Sequence, residues 1–229
     1  MALSLAACRK ENFPLPAPSE PAKLCEMQTD NPSGRSYESD EVVAVNCQDK
    51  LCGILPLSIK NYWVYEDSIF SNGNLLRVQF DTLRYASAKM SIEDSLIWWQ
   101  GNVQVGLPDM LYANDSAFFR IGDRLFTPGV KDARKDYYLP SGDSVKYLTS
   151  FEDVAANGRT VRLTTPFTTA FGSFDGVIYF EKLARFFRKD QLFFKPGLGV
   201  IKYIQEKAPA GNPSLKLQQV STLVAVHIE

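Results

Sequence analysis

Few side chains in this sequence of 229 residues could do acid–base or nucleophilic chemistry. The single histidine, His227, lies near the end of the sequence, where a histidine is usually structural or solvated, and without it no Ser-His or Cys-His pair is available. The adjacent carboxylates that could act in pairs are Glu66-Asp67, Glu93-Asp94 and Glu152-Asp153. Consecutive side chains on a strand point to opposite faces, whereas a glycosidase needs two carboxylates that converge. We therefore predict no catalytic residue, no metal site and no cofactor.

The thiol with the most specific surroundings is that of Cys8, which follows Leu5, Ala6 and Ala7. A peptidase that cuts before a cysteine needs an extended, uncrowded backbone, and small residues provide it. The thiolate then carries a diacylglycerol group. This order of residues fits the lipobox of bacterial lipoproteins, so we predict that Cys8 is lipidated and that residues 1–7 are the end of a signal peptide. The alternative is that small apolar residues precede a cysteine by chance.

A lipid on Cys8 would make the membrane a partner of the protein through its anchor. No stretch reaches the roughly 18 apolar residues that are needed to cross a bilayer. The residues after the cysteine, Arg9-Lys10-Glu11, lack the aspartate that often retains lipoproteins at the inner membrane. We expect an outer-membrane-anchored protein of the cell envelope that faces the periplasm or the exterior.

The segment after the cysteine is predicted to be a tether. Proline fixes φ and lacks a backbone donor, so a proline-rich polar segment stays extended and hydrated. The prolines are Pro14, Pro16, Pro18, Pro21 and Pro32. We divide the chain into the signal-peptide end at 1–7, the lipid-anchor cysteine and tether at 8–40, and a single β-rich domain at 41–229.

Three further cysteines remain at positions 25, 47 and 52. Cys47 and Cys52 would close a short loop, and a disulfide there is consistent with an exported protein. Cys25 could instead pair with either of them. A zinc site is a competing interpretation, but the spacing is not C-x-x-C and the histidine is distant in sequence.

The charge balance argues against nucleic acid as a partner. The chain has 25 basic and 26 acidic residues, a formal net charge of −1 and a pI of about 6.0. It therefore has no surplus positive charge to hold a phosphate backbone. Hydrophobic residues make up 45% and charged residues 22% of the chain, which are values typical of a globular protein with a real core.

Apolar residues alternate with polar ones in short runs from residue 41 onward, and this period of two predicts strands. Leu76, Val78 and Phe80 are expected to face the core, with Arg77, Gln79 and Asp81 in water. A second alternating set is Val220, Thr222, Val224, Val226 and Ile228. The predicted fold is mainly β, an antiparallel meander that forms a curved sheet, a half-open barrel or a sandwich, with at most one or two short helices.

Turn residues divide these strands. Asn72-Gly73 and Asn157-Gly158 each predict a tight hairpin, because asparagine and glycine tolerate positive φ. Residues 132–138 could form one helical turn. Residues 181–189 have the composition of a short helix, but 186–194 fit a pair of strands equally well.

Two sets of aromatic residues have different expected roles. Trp63 and Tyr65 lie two apart, on one face of a strand, and are predicted to be core. Trp98 and Trp99 are adjacent, so one indole should leave the core face unless a bulge intervenes. An exposed tryptophan would mark a binding surface, and we take Trp98 and Trp99 as its candidates.

Two segments carry a resemblance to a known family. The first is 55–65, LPLSIKNYWVY, which resembles the P-L-x-x-G-N-x-W-x-Y opening of uncharacterised lipoproteins from Bacteroidetes. The second is 193–203, FFKPGLGVIKY, which is similar to their F-x-P-G-x-G segment. Lys60 departs from the glycine that is usual there. The resemblance implies a β-rich exported body, but it implies no activity.

Exported proteins of those bacteria are O-glycosylated at Asp-(Ser/Thr)-apolar sequences, and this chain has five. The candidate acceptors are Ser68, Thr82, Ser95, Ser116 and Ser144. The alternative is that Asp-Ser pairs cap turns at strand ends before the next apolar run begins.

These observations favour a non-catalytic binding or envelope-assembly role. One alternative is a carrier of a lipid or other apolar small molecule in a half-open barrel, which a cavity would favour. Another is an enzyme of unrecognised type, which would need convergent carboxylates with perturbed ionisation. A protein partner instead predicts a large exposed apolar patch.

Overall fold

A computed structural model describes residues 28–29, 35–37, 40–46, 54–58, 60–91, 97–113, 116–120, 134–151 and 154–229. These residues form seventeen strands and no helix, which confirms the mainly β prediction. The strands are β1 Gln28–Thr29, β2 Arg35–Tyr37, β3 Asp40–Asn46, β4 Tyr62–Ser71, β5 Asn74–Ser91, β6 Ile97–Gly101, β7 Met110–Ala113, β8 Ala117–Arg120, β9 Arg134–Tyr138, β10 Ser144–Phe151, β11 Val154–Arg162, β12 Phe167–Thr168, β13 Ser173–Phe174, β14 Ile178–Ala184, β15 Arg188–Lys195, β16 Gly199–Lys207 and β17 Lys216–His227.

Twelve of the strands form one antiparallel sheet that is nearly closed into a barrel. Their order is β10-β11-β14-β15-β16-β17-β4-β5-β6-β7-β8-β9. The first and last strands of this order, β10 and β9, lie close together without pairing, so the barrel has one unsealed seam. β12 and β13 form a separate two-stranded sheet. The half-open barrel is thus the architecture that this chain adopts among those predicted.

The first three strands add to one end of the long strand β5. β1 and β2 both pair with β3, and β3 pairs with residues 88–91 of β5. β1 and β2 lie within the 8–40 segment that the sequence predicts to be a tether. Cys8, Cys47 and Cys52 lie outside the described residues. The described part of the chain contains no helix that is long and apolar enough to cross a membrane.

The predicted helical segments are strands. The described part of 132–138 is β9, and 181–189 contains the end of β14 and the beginning of β15. Residues 185–187 form the turn between these two strands, with Ala184 paired to Arg188. Residues 186–194 are therefore the end of a turn and one strand, so neither the helix nor the pair of strands within that stretch was correct. The helical turn was also wrong over residues 134–138, because pairing with β8 determines the structure there.

One predicted hairpin is confirmed and the other is wrong. Asn72 and Gly73 connect β4 to β5 with φ of 52° and 85°, as a tight two-residue turn requires. Asn157 and Gly158 instead lie within β11, and the hairpin between β10 and β11 closes where Phe151 pairs with Val154. Gly158 is directly opposite Tyr147, and a Cβ atom there would lie 2.1 Å from that ring. This glycine makes room for an aromatic side chain and forms no turn.

Aromatic rings fill much of the core. Trp63 and Tyr65 are buried, as predicted, and both hydrogen-bond to the segment before and within β16. Trp63 Nε1 donates to the carbonyl of Leu198 at 2.5 Å, and the Tyr65 hydroxyl donates to the carbonyl of Val200 at 2.9 Å. The largest fully buried side chains are Trp63, Trp98, Trp99, Tyr65, Tyr85, Tyr137, Tyr203, Phe118, Phe180, Phe194, Leu55 and Leu111.

A loop enters the barrel between β6 and β7. Val105 and Leu107 belong to the main hydrophobic core cluster. The hydroxyl of Tyr137 donates to the carbonyl of Gly106 at 2.9 Å. Gly106, with φ of 83°, packs so closely that an added Cβ would meet Leu192 at 2.2 Å. Residues 105–107 of the loop therefore fill part of the barrel, and we call residues 102–109 the plug loop.

The apolar side of β5 faces the opposite way from the prediction. Leu76, Val78 and Phe80 are 66%, 50% and 67% exposed, so the expectation that they face the core was wrong. The inward side of the same strand carries Leu83 and Tyr85, which are buried. Alternation divides the side chains of a strand into two faces, but the packing of the rest of the barrel decides which face is buried.

A bulge changes the faces of β17. Ser221 and Leu223 are buried, although the sequence placed the apolar face on the even-numbered residues. The register shifts between Leu223 and Ala225, and beyond this shift Val226 packs against the core. Because an extra residue reverses the alternation, the prediction of one apolar face along the whole strand was wrong.

Candidate functional site

Inward-facing polar side chains form a band across one end of the barrel, which we call the polar belt. Its adjacent positions are set by register, with Asp67 opposite Ser221 and Ser221 opposite Tyr203. The belt spans eight strands in space, from β5 to β8 by way of β4, β17, β16, β15, β14 and β9. Its members are Asp81, Asp67, Ser221, Tyr203, Gln205, Arg188, Asp190, Lys182, Asp136 and Arg120.

One part of the belt is a buried ion cluster around Asp136. Lys182 Nζ lies 2.7 Å from Asp136 Oδ1, and Arg120 Nε lies 3.3 Å from the same oxygen. Asp136 is the extra residue of a bulge in β9, since Tyr137 and Lys135 pair with consecutive residues of β8. A bulge re-aims side chains, which lets Asp136 and the neighbouring Tyr137 both be buried. Burial lowers the pKa of Lys182, and Asp136 opposes that effect.

A second part of the belt joins β15 to β16. Arg188 donates two hydrogen bonds to the Asp190 carboxylate, at 2.8 and 2.7 Å. A third bond from Arg188 reaches the Tyr203 hydroxyl at 3.2 Å, and Gln205 Nε2 donates to that hydroxyl at 2.5 Å. Burial raises the pKa of Tyr203, which stays protonated. These side chains are a closed network with satisfied partners, typical of a structural role.

The third part of the belt brings two carboxyl groups together. Asp67 is 1% exposed, and the Asp81 carboxyl group on the neighbouring strand lies close enough to affect its ionisation. Burial raises the pKa of Asp67 to about 6, the Ser221 hydroxyl opposes this, and Asp81 adds to it. Gln79 Nε2 donates to Asp81 Oδ2 at 2.6 Å. Within the described part of the chain, neither Asp67 nor Asp81 forms an ion pair with a lysine or arginine.

This contact between carboxyl groups was not predicted from sequence, which considered only consecutive pairs. The two groups are close enough for Asp81 to raise the pKa of Asp67, whereas the carboxyl groups of glycosidases lie about 5–9 Å apart to admit a substrate or water. The described residues contain no group of three or more His, Cys, Asp or Glu side chains placed to hold a metal ion. The pair is suited to sharing one proton.

A second feature lies beyond the belt, where the β4–β5 hairpin extends past the end of β6. β6 pairs with β5 only from Tyr85 onward. Asn102 then covers two more residues of β5, since its Nδ2 donates to the carbonyl of Thr82 at 3.0 Å and its Oδ1 accepts from the amide of Arg84 at 2.7 Å. In the part of the chain that the structure describes, no strand pairs with residues 74–81 on that side. We call this stretch the open edge.

The open edge carries exposed apolar side chains. Leu76, Val78 and Phe80 are on one side of the strand, which we call the outer β5 face, and Leu75 near the turn is also exposed. Monomeric proteins rarely expose a contiguous apolar patch larger than a few hundred Å², and an exposed apolar edge strand is a template for pairing with another strand. The sequence offered one clue to this face. The apolar positions 76, 78 and 80 are out of phase with Leu83 and Tyr85, so one of the two sets had to face outward.

The tryptophans predicted to form a binding surface are both buried. Trp98 and Trp99 are each 1% exposed, so the expectation that one indole is presented at the surface was wrong. Trp99 belongs to the main core cluster. Trp98 lies on the opposite face, with its ring 5.7 Å from Tyr112, which in turn lies 5.2 Å from Phe119. The outward face of these strands is thus itself covered with rings.

The remaining candidates are dispersed. Ser68 and Thr82 are partly buried within β4 and β5, whereas Ser116 and Ser144 are exposed at the beginning of β8 and β10. Ser95 lies outside the described residues, and glycosylation at all five positions stays a prediction. His227 is exposed and stacks on Tyr62, with ring centroids 5.2 Å apart.

Comparison with known proteins adds no relative. No protein-family model matches the chain, and no curated protein or solved structure is significantly similar to it. The function must therefore be argued from the geometry of the chain itself.

Proposed function

We propose that this chain is a non-catalytic binding and assembly domain of the bacterial cell envelope, and that its open edge accepts a strand from another polypeptide. The observation that carries this proposal is the open edge itself, flanked by the exposed outer β5 face. Unpaired backbone groups supply hydrogen bonds to an added strand, and alternate apolar side chains supply contact area. Both occur on one strand of this barrel.

The anchoring part of the proposal rests on the sequence. A lipid on Cys8 would hold the barrel at a membrane. Labelling the full-length protein with radioactive palmitate in its host tests this step. We expect label in the natural sequence and none in Cys8→Ser. Equal labelling of the two would contradict the proposed anchor.

A carrier of an apolar molecule is less well supported. The plug loop places Val105 and Leu107 in the main core cluster, where a carrier would hold its ligand. An enzyme is the other alternative, and the contact of Asp67 with Asp81 is the feature most like a catalytic pair. Asp67 is buried, however, which favours a structural proton-sharing role over contact with a substrate.

Site-specific photocrosslinking in the native host tests the binding role. A photoreactive phenylalanine analogue replaces Phe80 on the open edge, and Phe186 in the β14–β15 turn is the matched control because it is 71% exposed. We expect adducts at position 80, mapped by mass spectrometry to one defined segment of a polypeptide, and at most background at position 186. No adduct at position 80 above the control would overturn the proposed function.

A further inference from the structure

The direction of the free backbone groups on the open edge follows from Asn102. Asn102 bonds to the carbonyl of Thr82 and to both backbone groups of Arg84, so these residues point away from β4. Along an antiparallel strand, backbone groups alternate between the two neighbours. Val78 and Phe80 have the same parity and therefore present their N–H and C=O groups to the open edge.

An antiparallel strand of the same sequence can pair with these groups. If Gln79 is opposite Gln79 of a second copy, Val78 is opposite Phe80 and Phe80 is opposite Val78. Each of these two facing pairs can exchange two backbone hydrogen bonds. The same register places the outer β5 faces of the two copies side by side, so that Val78 and Phe80 of each copy cover one another.

Charge distinguishes this register from its neighbour. With Gln79 at the centre, the exposed Arg77 lies opposite Asp81 of the second copy, and this happens twice. Asp81 adjoins Asp67, and these carboxyl groups have no cationic partner within the described residues. With Val78 at the centre, Arg77 would instead lie opposite Gln79, and Asp81 opposite Leu75. Cross-strand pairs of opposite charge stabilise a sheet.

We infer that the strand bound by the open edge is β5 of a second copy of this chain, antiparallel and centred on Gln79. This inference rests on the proposed function, because it names the partner of the same surface. The pairing is isologous, as the two-fold symmetry of most homodimers requires.

The segment of β5 that can pair with a second copy is limited at both ends. The register between β4 and β5 shifts at Leu76, so the regular ladder ends there. At the other end, Asn102 already forms hydrogen bonds with the backbone of Thr82 and Arg84. The shared ladder therefore covers residues 77–81, and its contact area is smaller than the roughly 800 Å² per partner of a stable interface. We expect a dimer that forms at micromolar concentration and is favoured when anchored copies are crowded on one membrane.

Sedimentation of the purified full-length protein tests the second copy as partner. We expect a concentration-dependent dimer, at least tenfold weaker association in Phe80→Lys, and unchanged association in the control Phe186→Lys. Thermal unfolding of each variant shows whether it is folded, and because the Phe80 side chain is exposed, we expect Phe80→Lys to unfold at the temperature of the natural sequence. A protein that stays monomeric up to hundreds of micromolar would overturn the inference.

Cross-linking tests the register. In Arg77→Lys, a carbodiimide should join the new amine to Asp81 of the other copy, and mixing isotope-labelled with unlabelled protein proves that the bond is intermolecular. A dimer whose cross-links avoid this pair would overturn the Gln79-centred register. If the protein is monomeric but position 80 still gives adducts with a different polypeptide in the host, only this inference fails. If position 80 gives no adduct at all, the proposed function fails as well.

Discussion

Two buried aspartates of the polar belt have neighbours of opposite charge, and this decides how each aspartate affects stability. Asp136 lies between Lys182 and Arg120, so its charge compensates two cations. Asp67 lies beside another carboxyl group, so its charge is uncompensated. The residue type is the same at both positions, and only the surroundings separate them.

Asp67 should make the protein less stable as the pH rises. The groups that face it are Asp81 and Gln79 on β5, Ser221 and Gln219 on β17, and Tyr65 on its own strand. Its pKa is raised to about 6 in the folded protein, against an ordinary value of 3.8. The folded state thus binds the proton more tightly, and the stability this contributes is complete below pH 3.8 and lost as the pH rises through about 6.

We therefore expect Asp67→Asn to be more stable than the natural sequence at pH 8, by about 1 kcal/mol, and to depend less on pH between 4 and 7. Urea unfolding at pH 4, 6 and 8 measures this. Asp175→Asn is the control, because Asp175 is exposed in a turn. A variant that loses stability most at pH 8 would show that the ionised carboxylate is favourable.

The Asp136 cluster should respond unequally to loss of its members. Asp136→Asn leaves Lys182 and Arg120 without their shared anion and should cost about 3 kcal/mol in the free energy of unfolding. Lys182→Met removes the ammonium group that lies 4.5 Å from the centre of the Phe151 ring, but it leaves no unpaired buried charge because Asp136 stays paired with Arg120, so the change should stay within about 1 kcal/mol. Denaturant unfolding at neutral pH compares them, and equal losses would contradict this account.

At the scale of the element, hydrogen-bonded neighbours overrule local signals. Asn157-Gly158 has the composition of a turn but continues β11, because residues 144–151 pair with it along their whole length. Tyr147 lies over Gly158, and its ring also contacts the tilted ring of Tyr138 on β9, with ring centroids 4.4 Å apart. The glycine thus permits an aromatic contact across the seam of the barrel.

Gly158→Ala should therefore be destabilising, since the new Cβ would lie 2.1 Å from the Tyr147 ring and force that ring to move. Overpacking of this kind costs about 1–3 kcal/mol. Gly142→Ala is the matched control, because an added Cβ there meets nothing within 4 Å. Thermal unfolding of both variants measures the difference. A Gly158→Ala variant as stable as the control would mean that Tyr147 moves without cost.

At the scale of the whole molecule, the barrel is closed by side chains along its seam. The Thr149 hydroxyl donates to the carbonyl of Asp136 at 3.3 Å, and Arg120 donates to the Ser150 hydroxyl at 2.6 Å. These contacts take the place of a backbone ladder between β9 and β10. Away from the seam, β15 pairs along its length with β14 on one side and with β16 on the other, with one register shift between Phe193 and Phe194.

Amide hydrogen exchange should reveal this asymmetry. Local opening needs fewer broken contacts at the seam, so amides of β9 and β10 that face it should exchange at least about 100-fold faster than paired amides of β15 and β16. Mass spectrometry or NMR of the native protein measures these rates. Equal protection on the two sides would mean that the seam is closed by backbone pairing in solution.

Local chemistry in the sequence was sufficient for the all-β class, the Asn72-Gly73 turn and the core positions of Trp63 and Tyr65. A period of two and a tolerance for positive φ are properties of neighbouring residues, so they can be seen without the fold. Two large aromatic side chains that are two residues apart lie on the same face of a strand, and the core is the favourable location for that face.

Tertiary structure alone decided which face of β5 is outward, where the seam lies, that the plug loop fills the barrel, and that Asp67 meets Asp81. Each of these depends on strands that are far apart in the chain. The free energy gained by burying a face depends on both surfaces that come into contact, so one strand's sequence cannot predict it. Leu76, Val78 and Phe80 would be core residues under a different neighbour. In this barrel the pairing of β6 with β5 stops at Tyr85, which leaves the backbone of the same residues as the open edge on which the proposed function rests.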